Sequence, residues 1–192
     1  MSTPARVEFR PTGVPFAGFL AHAMALGPER FAATYAHPFL VGLEIPAGDA
    51  DDSGGDTYSE SMDAMTDAAD RPARLGASSR VFALRHRRQG EAGGLTVGRG
   101  RDNDCVVADP KVSKVHVVLR VEGGSVSVTD PGSHNGTFVD GERILTVTPT
   151  PLRSGCRLQL GARAFLFLSA RRFLQDIARF LPPDAAPGAR RR

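Results

Sequence analysis

Between Leu95 and Gly141 the chain gathers side chains able to hold an anion. Leu95-Thr96-Val97 reads as a short strand that stops at Gly98, so Arg99 leaves the sheet edge with its N–H donors free. A guanidinium there suits a phosphate or a carboxylate, because its planar fork makes two parallel charge-assisted bonds. Ser113 and Lys114 precede a second strand, His116 to Val121, and add a hydroxyl donor and a point charge. In the turn Gly132-Ser133-His134-Asn135-Gly136, Asn135 carries an amide that donates and accepts together, as gripping a peptide main chain requires. Polar residues gathered on loops beside short apolar strands suggest a binding rim held by a rigid scaffold. Plainer roles compete. A loop arginine is usually a solvated charge, and Arg101 is read as one. Ser113 can cap a turn, Asn135-Gly136 can be a tight hairpin, and His116 is read as a core histidine rather than a ligand.

The elements that must position these residues follow from the apolar pattern. From Arg80 onward short strands dominate: Val81 to Arg85, Leu95 to Gly98, Cys105 to Val107, His116 to Val121, Ser125 to Asp130, Thr137 to Val139, Glu142 to Leu145, Arg157 to Leu160 and Ala164 to Leu168. Short strands separated by Gly, Pro, Asn or Asp turns predict an all-β sandwich. After Ser169 the apolar period lengthens, and Phe173, Leu174, Ile177, Phe180 and Leu181 predict a helix that ends at Pro182-Pro183. Near the N-terminus, Phe16 to Ala25 predicts one helix, Gly27-Pro28 stops it, and Pro28 opens a second that runs to about Ala36. Phe39 to Ile45 then reads as a strand. So short a helix pair cannot bury enough to stand alone, so it is expected to pack on the sandwich, on a second copy or on a partner. The chain therefore divides into a helical N-terminal extension (1–45), an acidic flexible linker (46–79), the sandwich (80–169) and a C-terminal helix with a basic tail (170–192).

The chain has 192 residues, enough for one good core with appendages, and a net charge of +3 that hides an asymmetry. Residues 49–70 contain eight Asp or Glu and no Lys or Arg, a formal −8, which leaves +11 on the remainder. A basic body with an acidic strip invites self-association, through that strip or through the N-terminal extension. Thr57 lies three residues before Glu60 within the strip, and Thr57 and Thr66 are candidate phosphorylation sites. Cys105 and Cys156 each fall inside a strand-like run, which suggests two buried small hydrophobes in a reducing compartment. A cytoplasmic location is expected, and no apolar run approaches the ~20 residues of a membrane span. Ser113, His116 and Asp130 share the letters of a hydrolase triad but lack a nucleophile-elbow context. Neither a catalytic residue, a metal nor a cofactor is expected, since no phosphate loop, dinucleotide fingerprint or metal-spaced Cys/His pair occurs. Nucleic-acid recognition is not expected either, for want of a recognisable motif.

Taken together, the motifs resemble the forkhead-associated (FHA) domain, a reader of phosphothreonine peptides. That family's signature is a Gly-Arg pair, then Ser-x-x-His, Ser-x-Asn-Gly and a further Asn-Gly. Here they appear as Gly98-Arg99, Ser113-Lys114-Val115-His116, Ser133-His134-Asn135-Gly136 and Asp140-Gly141, closed by Leu152 through Gly161. The resemblance covers about residues 80 to 169. It implies that Arg99 and Ser113 hold the phosphate with help from Lys114, and that Asn135 and His134 meet the peptide. Lys111 would read the third residue after the phosphothreonine. Gly98, His116, Asp130 and Gly136 would be structural. Lys114 replaces a commoner Arg and so loses the bidentate fork, while Asp140 and Cys156 replace a usual Asn and Asp in turns. The implied protein is an adaptor in bacterial Ser/Thr kinase signalling, whose partners are a phosphothreonine protein and a kinase. As in some bacterial members, its own phosphorylated linker would be an intramolecular ligand. The alternative is a phospho-independent scaffold subunit of a secretion or signalling complex.

Overall fold

The computed structural model describes residues 6–44, 74–87 and 93–181. Thr57, Thr66, the whole acidic strip (49–70) and the arginine tail lie outside the described residues.

Among the described residues twelve strands form two sheets. The smaller has β4 (Leu95–Gly98), β5 (Cys105–Val106), β6 (Val117–Glu122), β7 (Ser125–Thr129) and β10 (Thr150–Leu152), in the order β10-β7-β6-β4-β5. The larger contains β1 (Val14–Pro15), β2 (Phe39–Leu43), β3 (Arg80–Ala83), β8 (Thr137–Val139), β9 (Glu142–Arg143), β11 (Arg157–Leu160) and β12 (Arg163–Leu168). Its order is β1-β3-β2-β12-β11-β8-β9. All pairings are antiparallel except β4 with β5. The mostly β architecture agrees with the sandwich read from the sequence, which foresaw about eleven strands but neither β1 nor β10. Both are poor strand signals: β1 is two residues ending in Pro15, and β10 carries Pro151 at its centre.

A two-residue alternation explains the layers. Phe165 and Phe167 of β12, Leu40 of β2 and Phe82 of β3 face the smaller sheet, where they meet Val97, Val117, Leu119 and Val128. Their neighbours Ala164, Leu166, Leu168, Phe39, Val41, Val81 and Ala83 point the other way into a second core. That core is closed by α1 (Phe16–Thr34) and α2 (Phe173–Ile177), the latter flanked by 3-10 turns at Ala170–Arg172 and Ala178–Phe180. The larger sheet is therefore buried on both faces, which is why its central strands read as near-continuous apolar runs. Of the three ways the terminal helices could find cover, the molecule uses its own sandwich.

Within α1 the helix breaks at Gly27 (φ 73°, ψ 167°), and Pro28 starts the second segment. Aromatic rings fill the layer: Phe31 lies 4.9 Å from Tyr35 and 4.9 Å from Phe173, centroid to centroid. Asp176 anchors α2 although wholly buried. Arg172 donates to both of its oxygens at 3.1 and 3.0 Å, and the Ser154 hydroxyl donates at 2.7 Å. Burial alone would raise the Asp176 carboxyl, but these bonds hold it below its ordinary value. Among the described residues no helix is long and apolar enough to cross a membrane.

Candidate functional site

The polar motifs occupy three connections between strands: β4 to β5 (99–104), β5 to β6 (107–116) and β7 to β8 (130–136). Backbone bonds stitch the first two together. The Arg99 amide donates to the Ser113 carbonyl at 2.9 Å, the Gly100 amide to Lys114 at 3.0 Å, and the His116 amide to Val97 at 2.8 Å. This close approach needs Gly98, since a Cβ there would collide with the Lys114 and Ser113 carbonyls. Asn103 tightens the junction by donating from one amide nitrogen to the Gly100 and Lys114 carbonyls, both at 2.7 Å.

The third connection is tied in by side chains. His116, wholly buried, accepts from the Ser113 amide at Nδ1 (3.0 Å), and its Nε2 lies 3.1 Å from the Gly136 carbonyl. The Ser113 hydroxyl accepts from the His134 amide at 3.0 Å, and the Asn135 side-chain amide donates to the Lys111 carbonyl at 2.6 Å. Gly136 turns the chain with φ 73°. Asp130 builds the turn itself: one carboxylate oxygen accepts from the amides of Gly132 (2.8 Å) and Ser133 (2.6 Å), the other from the hydroxyls of Ser133 and Thr137 (both 2.7 Å). Burial pushes its carboxyl up, yet these bonds outweigh it and keep the group ionised below the ordinary range.

Arg99, Lys111, Lys114 and His134 are exposed, and none of their side chains makes a hydrogen bond or ion pair among the described residues. Ser113, with its oxygen occupied by the His134 amide, keeps its O–H to donate outward. Asn135 keeps its carbonyl oxygen and one N–H. Cations of fixed backbone position, an outward hydroxyl and half an amide can take a phosphate ester together with a main-chain group. Arg101 is exposed on the same connection, but among the described residues only its carbonyl is used, by Arg87 at 2.7 Å.

Ser113, His116 and Asp130 form no proton relay. The imidazole bonds two main-chain groups rather than the Ser113 hydroxyl, and Asp130 is spent on its own turn. The two thiols are buried, and burial pushes Cys105 up to about 12 and Cys156 up to about 11, so neither is a ready nucleophile. Among the described residues no cluster of His, Cys, Asp or Glu could hold a metal.

Sequence reasoning passed over Asn103 and Asp109. Asp109 accepts from the Lys111 amide at 2.8 Å and pairs with Arg163 at 2.6 Å, which orients the turn before Ser113. An Asx residue at the head of a turn was the available signal for Asp109, whereas Asn103 reaches partners that only the folded chain brings near.

Residues 95–161 match the sequence profile of the FHA domain. Over 74 residues, 38% of this chain and 45% of the other, the sequence is 38% identical to the glycogen accumulation regulator GarA of Mycolicibacterium smegmatis. It is 34% identical over 74 residues to the oxoglutarate dehydrogenase inhibitor of Corynebacterium efficiens, 38% of this chain and 50% of that one. The chain thus spans about half the length of the curated relatives it matches. A solved structure described as an analysis of phosphothreonine-dependent FHA domain interactions aligns at TM-score 0.42 and 21% identity, over 68% of this chain and 95% of that one.

Proposed function

Taking residues 95–161 as a member of the FHA domain family, we propose that this chain is a phosphothreonine-dependent protein-binding adaptor in bacterial Ser/Thr kinase signalling. The observation that carries the reading is the pairing of Arg99 and Lys114 with the hydroxyl of Ser113. Two exposed cations without an acid partner among the described residues are tethered to one another through the Arg99–Ser113 and Gly100–Lys114 backbone bonds. A phosphothreonine brings nearly two negative charges and three acceptor oxygens, so such a cluster separates it from unmodified threonine by charge. Asn135 then takes the peptide main chain, with His134 beside it, and Lys111 faces residues after the phosphothreonine. The partners are a phosphothreonine protein and the kinase that makes it, and the compartment is the cytoplasm. Names such as regulator and inhibitor among the relatives agree with control by binding rather than by catalysis. An acidic segment carrying Thr57 in the same sequence as a basic rim supports a further step, in which the phosphorylated segment is an intramolecular ligand.

A calorimetric titration with a phosphothreonine peptide around Thr57 and its unphosphorylated twin tests the reading. Binding should require the phosphate. Arg99→Ala should lose about 2 to 5 kcal/mol, the cost of removing one member of a desolvated charge pair. Arg101→Ala should lose less than ~1 kcal/mol, as expected of a solvated charge. A peptide-array screen of paired phosphorylated and unphosphorylated sequences extends the test beyond the Thr57 segment. Equal losses for the two variants, or equal affinity for the two peptide forms, would refute the assignment.

A further inference from the structure

The segment from Glu142 to Thr148, β9 and the turn after it, embraces both stems of the Asp130–Gly136 turn. On the outgoing stem the Ile144 amide donates to Thr137 at 3.0 Å, and the Arg143 guanidinium lies over Gly136, where a Cβ would sit 2.8 Å from its Nε. On the incoming stem Thr146 bridges Asp130 in parallel, and the Val147 amide donates to the Asp130 carbonyl at 2.8 Å. The segment is thus fixed to the loop that carries His134 and Asn135.

Ile144 packs against the sandwich core, whereas the other side chains of the segment are exposed. Leu145 is 73% and Val147 72% exposed, the two most exposed of the large hydrophobics among the described residues. Arg143 is exposed and makes no ion pair or hydrogen bond among the described residues. Val147 also holds φ 55°, a left-handed conformation that a β-branched residue adopts at a cost. A turn selected for stability would carry Gly or Asn there. Outliers of this kind persist where the surrounding bonds impose them, and they gather at binding sites.

We infer that Arg143, Leu145 and Val147 form a second arm of the peptide site, with Arg143 taking an acidic side chain and the Leu145–Val147 tip an aliphatic one, both from the peptide flank that passes Asn135. This rests on the phosphopeptide reading above and adds a preference for flanking sequence. The occupant is the same peptide because the arm is hydrogen-bonded to the stems of the loop assigned to its main chain. The charge also fits, since an acidic flank complements an unpaired guanidinium.

The test is a degenerate phosphothreonine peptide library selected on the whole chain, followed by anisotropy titration of the preferred peptide and of one flanked only by Gly and Ala. Selection should enrich an acidic and an aliphatic residue on one side of the phosphothreonine. Arg143→Ala should remove the acidic enrichment and weaken the preferred peptide about fivefold, the upper range for an exposed ion pair. Val147→Asn, which suits positive φ, should raise the melting temperature while weakening the preferred peptide about tenfold through lost apolar burial. The Gly/Ala-flanked peptide should bind all three proteins alike. Unchanged selection in Arg143→Ala, or equal losses on both peptides, would overturn the arm while leaving the phosphate pocket intact. Loss of a self-association equilibrium in Val147→Asn, seen by sedimentation with peptide affinity unchanged, would assign the tip to a second copy instead. Binding that ignores the phosphate and survives Arg99→Ala would show that the phosphopeptide reading itself had failed, and the arm with it.

Discussion

His116 shows how much one side chain can settle. Its Nδ1 accepts from the Ser113 amide, so the ring proton sits on Nε2 and is donated to the Gly136 carbonyl. A neutral ring makes both bonds; a protonated one would set N–H against N–H. Burial accordingly lowers its pKa, against the pull of the Gly136 carbonyl and the Asp130 charge. His37, half-buried, is lowered to about 4, mainly by desolvation and further by the charges of Arg85 and Arg6. For both residues the unfolded chain, titrating near 6.5, takes up protons before the folded one does. Their stabilisation is therefore complete above that pH and declines as pH falls through it toward the folded values. The urea midpoint should be flat above pH 7 and drop between pH 6.5 and 5; a midpoint that rose over that range would contradict the neutral ring. Asp130 and Asp176 add a second, more acidic window, because their depressed carboxyls lose stabilisation only as pH falls below their ordinary value of 3.8.

At the scale of the element, the Asp130–Gly136 turn depends on one carboxylate with four donors. Asp130→Ala strands the Gly132 and Ser133 amides and the two hydroxyls, so it should cost about 2 to 4 kcal/mol in a denaturant melt. Phosphopeptide affinity should fall with it, since His134 and Asn135 ride on that turn. A loss under ~0.5 kcal/mol would mean that water replaces the carboxylate at little cost. The charge pair Arg163–Asp109 plays a lesser part, because the arginine is half in solvent and screened.

At the scale of the molecule, the helices are a third layer, not appendages. Phe31 is wholly buried among Phe19, Tyr35, Phe39 and Phe173. Phe31→Ala should cost about 3 to 5 kcal/mol. Because the same sheet serves both cores, the loss should appear as one calorimetric transition moved down in temperature. A separate early transition, with the sandwich melt unmoved, would show that the helical layer folds on its own. The chain has no tryptophan, so calorimetry is a better monitor than fluorescence.

Local pattern was enough to read much of this protein. Strand alternation, turn residues and the break at Gly27-Pro28 depend on neighbours in the chain, as do Gly98-Arg99, Ser113 through His116 and Ser133 through Gly136. Three-dimensional packing decided the rest. That Phe39–Leu43 runs between β3 and β12, that the apolar run in β12 feeds two cores, and that Asn103 bridges two loops all depend on contacts distant in sequence. Arg143 and Val147 belong with these, because residues spaced like any hairpin gain their meaning from the loop they are bonded to. A short-range pattern specifies which face a side chain takes; the partner on that face is chosen when the whole chain buries its apolar surface.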